Sequence, residues 1–234
     1  MTPRRQQILS TAADLFAARG FHGVSMGDIG AAVGVSGPAL YKHFAGKEDI
    51  LGQCLLHASD QLLAGARELL SDGGADLGVP GKHRSEARTL RGEGGEARSA
   101  VGQPGADTAG GEAAGGEATE GDAAGAEAAL EALIARHADF ALDNPALIVV
   151  QEREWGALGT EAQAQVRKRQ LAYVDVWCDA LTPLRPDLSP PQARAAVQAA
   201  FGLLNSTPHS ARIGRETMRA LLTSMARSAL LPAR

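Results

Sequence analysis

Apolar residues recur at helical spacing along most of this chain, and the places where they stop divide it. From Pro3 to Arg19, the positions Ile8, Leu9, Ala12, Leu15 and Phe16 share one helix face, and Gly20 ends the run. Phe21 suits a core plug and Gly23-Val24 a turn. Ser25 is placed to cap a short helix over Asp28 to Val33, with Ile29, Ala32 and Val33 facing inward. Gly34 can take the left-handed conformation that closes a helix. Ser36 suits the next N-cap, and Pro38 falls in a first turn, where its missing N–H costs nothing. Leu40 and Phe44, four residues apart, point inward and leave Tyr41, Lys42 and His43 on the other side. Two short helices about a glycine turn are the pattern of a helix-turn-helix. The second, Ser36 to Phe44, is of a size to lie in a DNA major groove.

A fourth helix starts near Gly46-Lys47 and continues through Ile50, Leu51, Leu55, Leu56, Leu62, Leu63 and Leu69, long enough to leave the head and enter the next domain. From Ser71 to Ala126 the pattern disappears. Gly, Ala and Glu dominate, and Leu77, Val79, Leu90 and Val101 are too few to offset the entropy of ordering, which predicts a disordered insertion. Helical spacing resumes near Glu127 with Leu130, Leu133, Ile134, His137, Phe140 and Ala141. Asn144-Pro145 opens a helix carrying Leu147 to Val150 and running on to Trp155. Thr160 suits the cap of a long helix through Val166, Leu171, Val174, Trp177 and Leu181. Ser189-Pro190-Pro191 opens another, which Pro208 ends, and a last helix runs from about Ile213 to Leu230. No alternation of strand type appears. The expected fold is all-α with about nine helices: a helix-turn-helix domain over 1–46, a connecting helix over 47–70, the insertion over 71–126 and a helical domain over 127–234.

The run from Ile8 to Phe21, with Leu40-Tyr41-Lys42-His43-Phe44-Ala45-Gly46-Lys47-Glu48 after the helix-turn-helix, resembles the DNA-binding domain of the tetracycline-repressor (TetR) family of bacterial regulators. The resemblance covers roughly the first 50 residues; beyond them only the layout matches. It implies a transcriptional repressor that binds double-stranded operator DNA and is released by a small effector. Ser36, Gly37, Pro38, Ala39, Tyr41, Lys42 and His43 match the family's DNA-facing positions. Lys47 stands where the family places a phosphate contact, and the Ser25 hydroxyl would lie near a docked duplex. Gly37 replaces a commoner polar residue and Gly27 a commoner basic one, which leaves fewer side chains to read bases.

In such a protein Phe140, Trp155, Tyr173, Trp177 and Phe201 would line an effector cavity, although each also suits plain core packing. The effector implied is hydrophobic, lipid-like or acyl-CoA-like. The resemblance further implies a homodimer through the last two helices. Small residues there (Ala193, Ala195, Ala196, Ala199, Ala200, Gly202) allow close approach, and the face with Val197, Phe201, Leu204, Leu221 and Leu222 would serve the subunit's own core only in part. The rival reading is a helical small-molecule-binding or catalytic protein with a vestigial DNA head.

Composition adds little to the DNA argument. The 234 residues carry a net charge of −4, and residues 1–50 hold five basic against four acidic side chains. The reading therefore rests on the motif. Cys54 and Cys178 fit no ligand spacing, the start has no apolar signal core, and no run approaches a membrane span, so a cytoplasmic protein is expected. No spacing of Ser, His, Cys or carboxylates supports catalysis, a metal or a cofactor.

Overall fold

The computed structural model describes residues 2–72 and 120–231. These form ten α-helical segments, two of only four residues, and one 3-10 turn; no strand occurs among the described residues. The expected disorder over 71–126 falls mostly on 73–119, outside the described residues. At its edges the helices reach further than the apolar pattern does: one continues to Asp72, and the next begins at Glu120 rather than near Glu127.

The head consists of α1 (Pro3–Arg19), α2 (Met26–Val33), α3 (Gly37–Leu40) and the start of α4 (Lys47–Asp72). Thr2 accepts from the Arg5 N–H to open α1, and Gly20, at φ +73°, closes it by donating its N–H to Phe16 O at 2.8 Å. Ile8, Phe16, Phe21, Ile29, Leu40, Phe44, Ile50 and Leu51 are all buried in one core. Ala32, expected inside, is exposed. Gly34 sits at φ +71° in the left-handed region, where it turns α2 into α3.

The second helix of the motif is shorter than the expected Ser36–Phe44. Regular helix covers Gly37–Leu40; beyond it the Lys42 and His43 N–H groups reach back only three residues, to Ala39 O at 3.3 Å and Leu40 O at 2.9 Å. Burying Phe44 beside Leu40 pulls this end into a tighter turn.

The body contains α5 (Glu120–Asp143), α6 (Pro145–Arg153), a 3-10 turn (Trp155–Ala157), α7 (Thr160–Leu181), α8 (Pro190–Leu204), α9 (Thr207–Ser210) and α10 (Arg215–Leu230). Two caps differ from expectation. Gly159, not Thr160, is the N-cap of α7, and Pro208 lies within the first turn of α9 rather than ending α8. The body's core gathers Leu130, Leu133, Ile134, Trp177, Leu181, Val197, Leu204, Leu222 and Leu230. Head and body are not separate cores. Val150 of α6, Leu158 just after the 3-10 turn and Val166 of α7 are buried within the head's cluster.

The α10 helix is held to α5 by a row of ion pairs. Arg215 meets Asp139 and Asp143, Arg219 meets Asp139 at 2.7 Å, and Arg227 meets Glu127 at 2.5 Å and Glu131 at 2.6 Å. Among the described residues no helix is long and apolar enough to cross a membrane.

The crossing of α2 and α3 depends on Gly30. A Cβ there would lie 2.7 Å from Val35 O and 3.1 Å from the Gly37 nitrogen, both backbone atoms. Gly30→Ala is expected to destabilise the head by about 1–3 kcal/mol. Gly125→Ala, where a Cβ meets nothing within 4 Å, should instead gain up to about 1 kcal/mol. Urea unfolding of both variants checks the contrast.

Candidate DNA-binding face and effector cavity

The outer side of the motif is built by fixing its inner side. Leu40 and Phe44 are buried, so Tyr41, Lys42 and His43 between them are pushed outward; Tyr41 is 59% exposed. Ser36 is exposed, and its hydroxyl makes no capping bond, which leaves it available to a partner. Gly37 and Ala39 are half-buried and Pro38 is exposed. A Cβ at Gly37 would lie 3.7 Å from the Gly27 Cα, an ordinary contact, so the packing of α2 on α3 does not itself require a glycine there.

Two expected contacts are engaged within the head. The Ser25 hydroxyl accepts the Asp28 N–H at 3.1 Å and donates its one hydrogen to the Asp28 carboxylate at 2.5 Å, while the Ser25 N–H donates to the same carboxylate at 2.8 Å. These bonds hold the Asp28 carboxyl below its usual range. Ser25 is a cap here and has no hydrogen left for a phosphate. The Lys47 ammonium donates to Phe21 O at 2.7 Å and lies 4.2 Å from the centre of the Phe21 ring. It braces the head.

The pattern reading missed Arg4 and Arg5. Arg4 donates to Val33 O, at the end of α2, at 2.7 Å. Arg5 donates to His43 O at 3.0 Å, bonds Gln53 and lies 4.4 Å from the Phe44 ring centre. There was a signal. Two cations in a helix's first turn oppose its dipole, so partners elsewhere are needed to explain them. Cys54 is a core residue whose thiol donates to Leu9 O at 3.3 Å; burial pushes it up to about 12.

In the body, α4, α5, α6, α7 and α8 surround a cavity of about 410 Å³. Three of the five predicted aromatic residues line it: Phe140, Tyr173 and Phe201. The other two do not. Trp177 is fully buried behind the wall and meets the rings of Phe201 and His137 edge-on. Trp155 packs in the 3-10 turn against the head's core, with the Arg167 guanidinium 5.8 Å from its ring centre. Both are large apolar side chains at helical spacing, which pattern alone cannot assign to a wall or to the packing behind it. Arg153, with no ion pair among the described residues, is exposed at the end of α6.

The polar lining was not foreseen as a site. His137, only 3% exposed, has Nδ1 3.1 Å from the Tyr173 hydroxyl and Nε2 3.1 Å from Asn205 Oδ1. Gln151, Gln170 and Gln198 add neutral amides. Burial lowers the His137 pKa to about 4, against the smaller opposing effect of Asn205.

The expected dimer face needs redrawing. Val197, Ala200, Leu204 and Leu222 are buried in the subunit's own core. The exposed positions are Ala195, Ala199 and Gly202 of α8, with Leu221 and Met225 of α10 at 47% and 46%. This strip carries no charge, because α10's arginines at 215, 219 and 227 are drawn to α5.

A helix-turn-helix head on an all-helical body with an internal cavity defines the class of one-component DNA-binding regulators. Residues 8–54 match the family described as "Bacterial regulatory proteins, tetR family", and residues 123–229 match the "Tetracyclin repressor-like, C-terminal domain". The chain belongs to the TetR family. It is 39% identical over 67 residues to the transcriptional activator FasR of Mycolicibacterium smegmatis, a stretch that is 29% of this chain and 31% of FasR. In fold it is similar to the TetR-family regulator PfmR of Thermus thermophilus (TM-score 0.65, 19% identity, all of both chains). It is also similar to AibR, solved with isovaleryl coenzyme A and operator DNA (TM-score 0.56, 18% identity, 95% of this chain and 97% of AibR).

The buried imidazole gives a pH test. Neutral His137 is favoured in the fold, so the native state binds fewer protons than the unfolded chain between about pH 4 and 6.5. Its contribution is complete above 6.5 and is lost as pH falls toward about 4, about 3 kcal/mol in all. Urea unfolding at pH 7 and pH 4.5 should show a smaller acid loss in His137→Gln than in the natural protein. Equal losses would contradict this reading of the residue.

Proposed function

We propose that the protein is a homodimeric, ligand-responsive transcriptional regulator of the cytoplasm, not an enzyme, which binds a pseudo-palindromic operator. The observation that carries this is the outward strip of Ser36, Tyr41, Lys42 and His43, fixed from beneath by Leu40, Phe44 and Arg5 in a tetR-type head. Each subunit would set this turn in a major groove, the two half-sites lying about 34–36 Å apart. Lys42 offers a cation to phosphate and Tyr41 a hydroxyl. Repression is the expected sense. Since FasR, with a similar head, is an activator, the head leaves the sign to where the operator lies.

The uncharged strip of Ala195, Ala199, Gly202, Leu221 and Met225 supports a two-fold interface between copies. The cavity supports an effector of drug-like size. Isovaleryl coenzyme A is the ligand of AibR; an acyl-CoA-like effector here would have to leave most of its coenzyme outside a space of about 410 Å³. Release from DNA follows if the effector binds the DNA-incompetent arrangement more tightly.

The test is a mobility shift with the intergenic DNA beside the protein's own gene. The natural protein should retard an inverted repeat. Tyr41→Ala and Lys42→Ala should weaken binding, and Lys42→Ala should reduce the slope of log affinity against log salt by about one. A folded double variant with unchanged affinity would refute the assignment. Leu221→Glu should bury like charges across the two-fold axis, populate monomers in sedimentation and lower operator affinity while helicity persists. A variant that stays dimeric and binds normally would move the interface elsewhere.

A further inference from the structure

We infer that the effector is an amphiphilic anion whose apolar part fills the cavity and whose carboxylate or phosphate head lies on Arg136, in the groove between α4 and α5. This rests on the effector-binding reading above and adds the chemistry of the ligand's polar end.

The cavity has a neighbour. Gln61, Gly65 and Glu68 of α4 face Arg136, Asp139 and Asp143 of α5 across a groove. Leu62 of α4 and Phe140 of α5 line both the groove and the cavity, so the two spaces adjoin across these side chains. Both are half-buried. A chain laid between them would have one end in each space.

Arg136 stands in this groove with its side chain already placed. A Cβ on Gly65 would collide with the guanidinium, at nearly equal distances from its Nε, Cζ and Nη2. The group therefore lies face-on to the α4 backbone, and Gly65 is buried beneath it. With that face covered, the edge of N–H donors is what remains to offer. Such a fork grips a carboxylate or a phosphate with two bonds, which a neutral head cannot match.

Nothing in the described residues uses that fork. Arg215, Arg219 and Arg227 each hold carboxylates of α5, whereas Arg136, on α5 itself, has no ion pair or hydrogen bond among the described residues. The acids nearest to it along α5 are engaged, Asp139 by Arg219 and Asp143 by Arg215. Glu68 is exposed on the facing helix and forms no ion pair with it. The Arg136 charge is also felt inside the cavity. Burial raises the pKa of the Tyr173 hydroxyl, and the Trp177 indole and the Arg136 cation oppose that rise. Arg167, the cation at the cavity's other edge, rests instead 5.8 Å from the centre of the Trp155 ring.

Calorimetry on the full-length protein at pH 7.5 with decanoate, decyl phosphate and 1-decanol tests this. The three share one chain and differ in the head, and the two anions separate a carboxylate ligand from a phosphate one. At least one anion is expected to bind once per subunit, about tenfold more tightly than decanol, and to exclude it. Arg136→Gln should remove that preference and leave decanol unchanged, a split that a merely structural role would not produce. Arg153→Gln, which removes an exposed charge elsewhere on the body, should keep it. Gly65→Ala is the second variant. Alanine favours helix there, so the fold is kept, while its methyl turns the guanidinium aside and the preference falls. No binding by either anion, equal affinity for decanol, equal loss of anion and alcohol in Arg136→Gln, or loss in Arg167→Gln alone would overturn the inference. Operator binding is measured on the same samples. An absent anion preference in a protein that binds its operator sinks the ligand chemistry alone. Failure to bind any operator sinks the regulator reading.

Discussion

The α6 helix cannot move without disturbing two places at once. Val150 is fully buried in the head's core, and two residues earlier Ile148 lines the cavity. Leu147 belongs to both, packing on the head's cluster while it lines the cavity. Burial of a valine such as Val150 is worth about 1.5–3 kcal/mol. A micromolar effector binds with about 8 kcal/mol. Only a small part of that is needed, since a coupling of about 1–3 kcal/mol changes affinity 5- to 150-fold. The magnitudes therefore allow a ligand to shift α6, and with it the head, without unfolding either core.

The same economy of contacts describes the DNA-facing side. Of the five basic residues in the first fifty, Arg4 and Arg5 are bound to backbone carbonyls, Lys47 to Phe21, and Arg19 lies 3.9 Å from Asp28. Lys42 is the exposed cation left on the motif itself. Few phosphates can then be neutralised by each head, and affinity must come from two heads held at the correct spacing. If two copies meet on the strip of α8 and α10, as proposed, that strip is part of the DNA-binding apparatus. The Arg–carboxylate row between α10 and α5 lends little stability at its exposure. Its effect is to take the charges of α10 away from the strip.

The head was legible in the sequence because its signals are local. Gly20, Gly34, Ser25 and the Leu40–Phe44 spacing each fix structure within a few residues, and the structure uses all of them. The boundaries that slipped were those set by tertiary packing, such as the early end of α3 where Phe44 turns inward. The cavity was legible only in part. Phe140, Tyr173 and Phe201 line it, but Trp155 and Trp177 have the same spacing and hydrophobicity and lie elsewhere. His137 and Asn205 are 68 residues apart and meet only through the fold. Ala200 looked like an interface residue because small side chains serve an intramolecular contact as well as an intermolecular one.

The central claim is that the cavity and the head are joined through α6. Operator affinity of Ile148→Trp, measured by fluorescence anisotropy beside the natural protein, tests it most directly. The larger side chain fills the cavity from α6 itself and stands in for an effector. With helicity and dimerisation intact, the account predicts a loss of operator affinity of at least about fivefold, the lower end of ordinary coupling. A folded dimer that binds the operator as the natural protein does would contradict it.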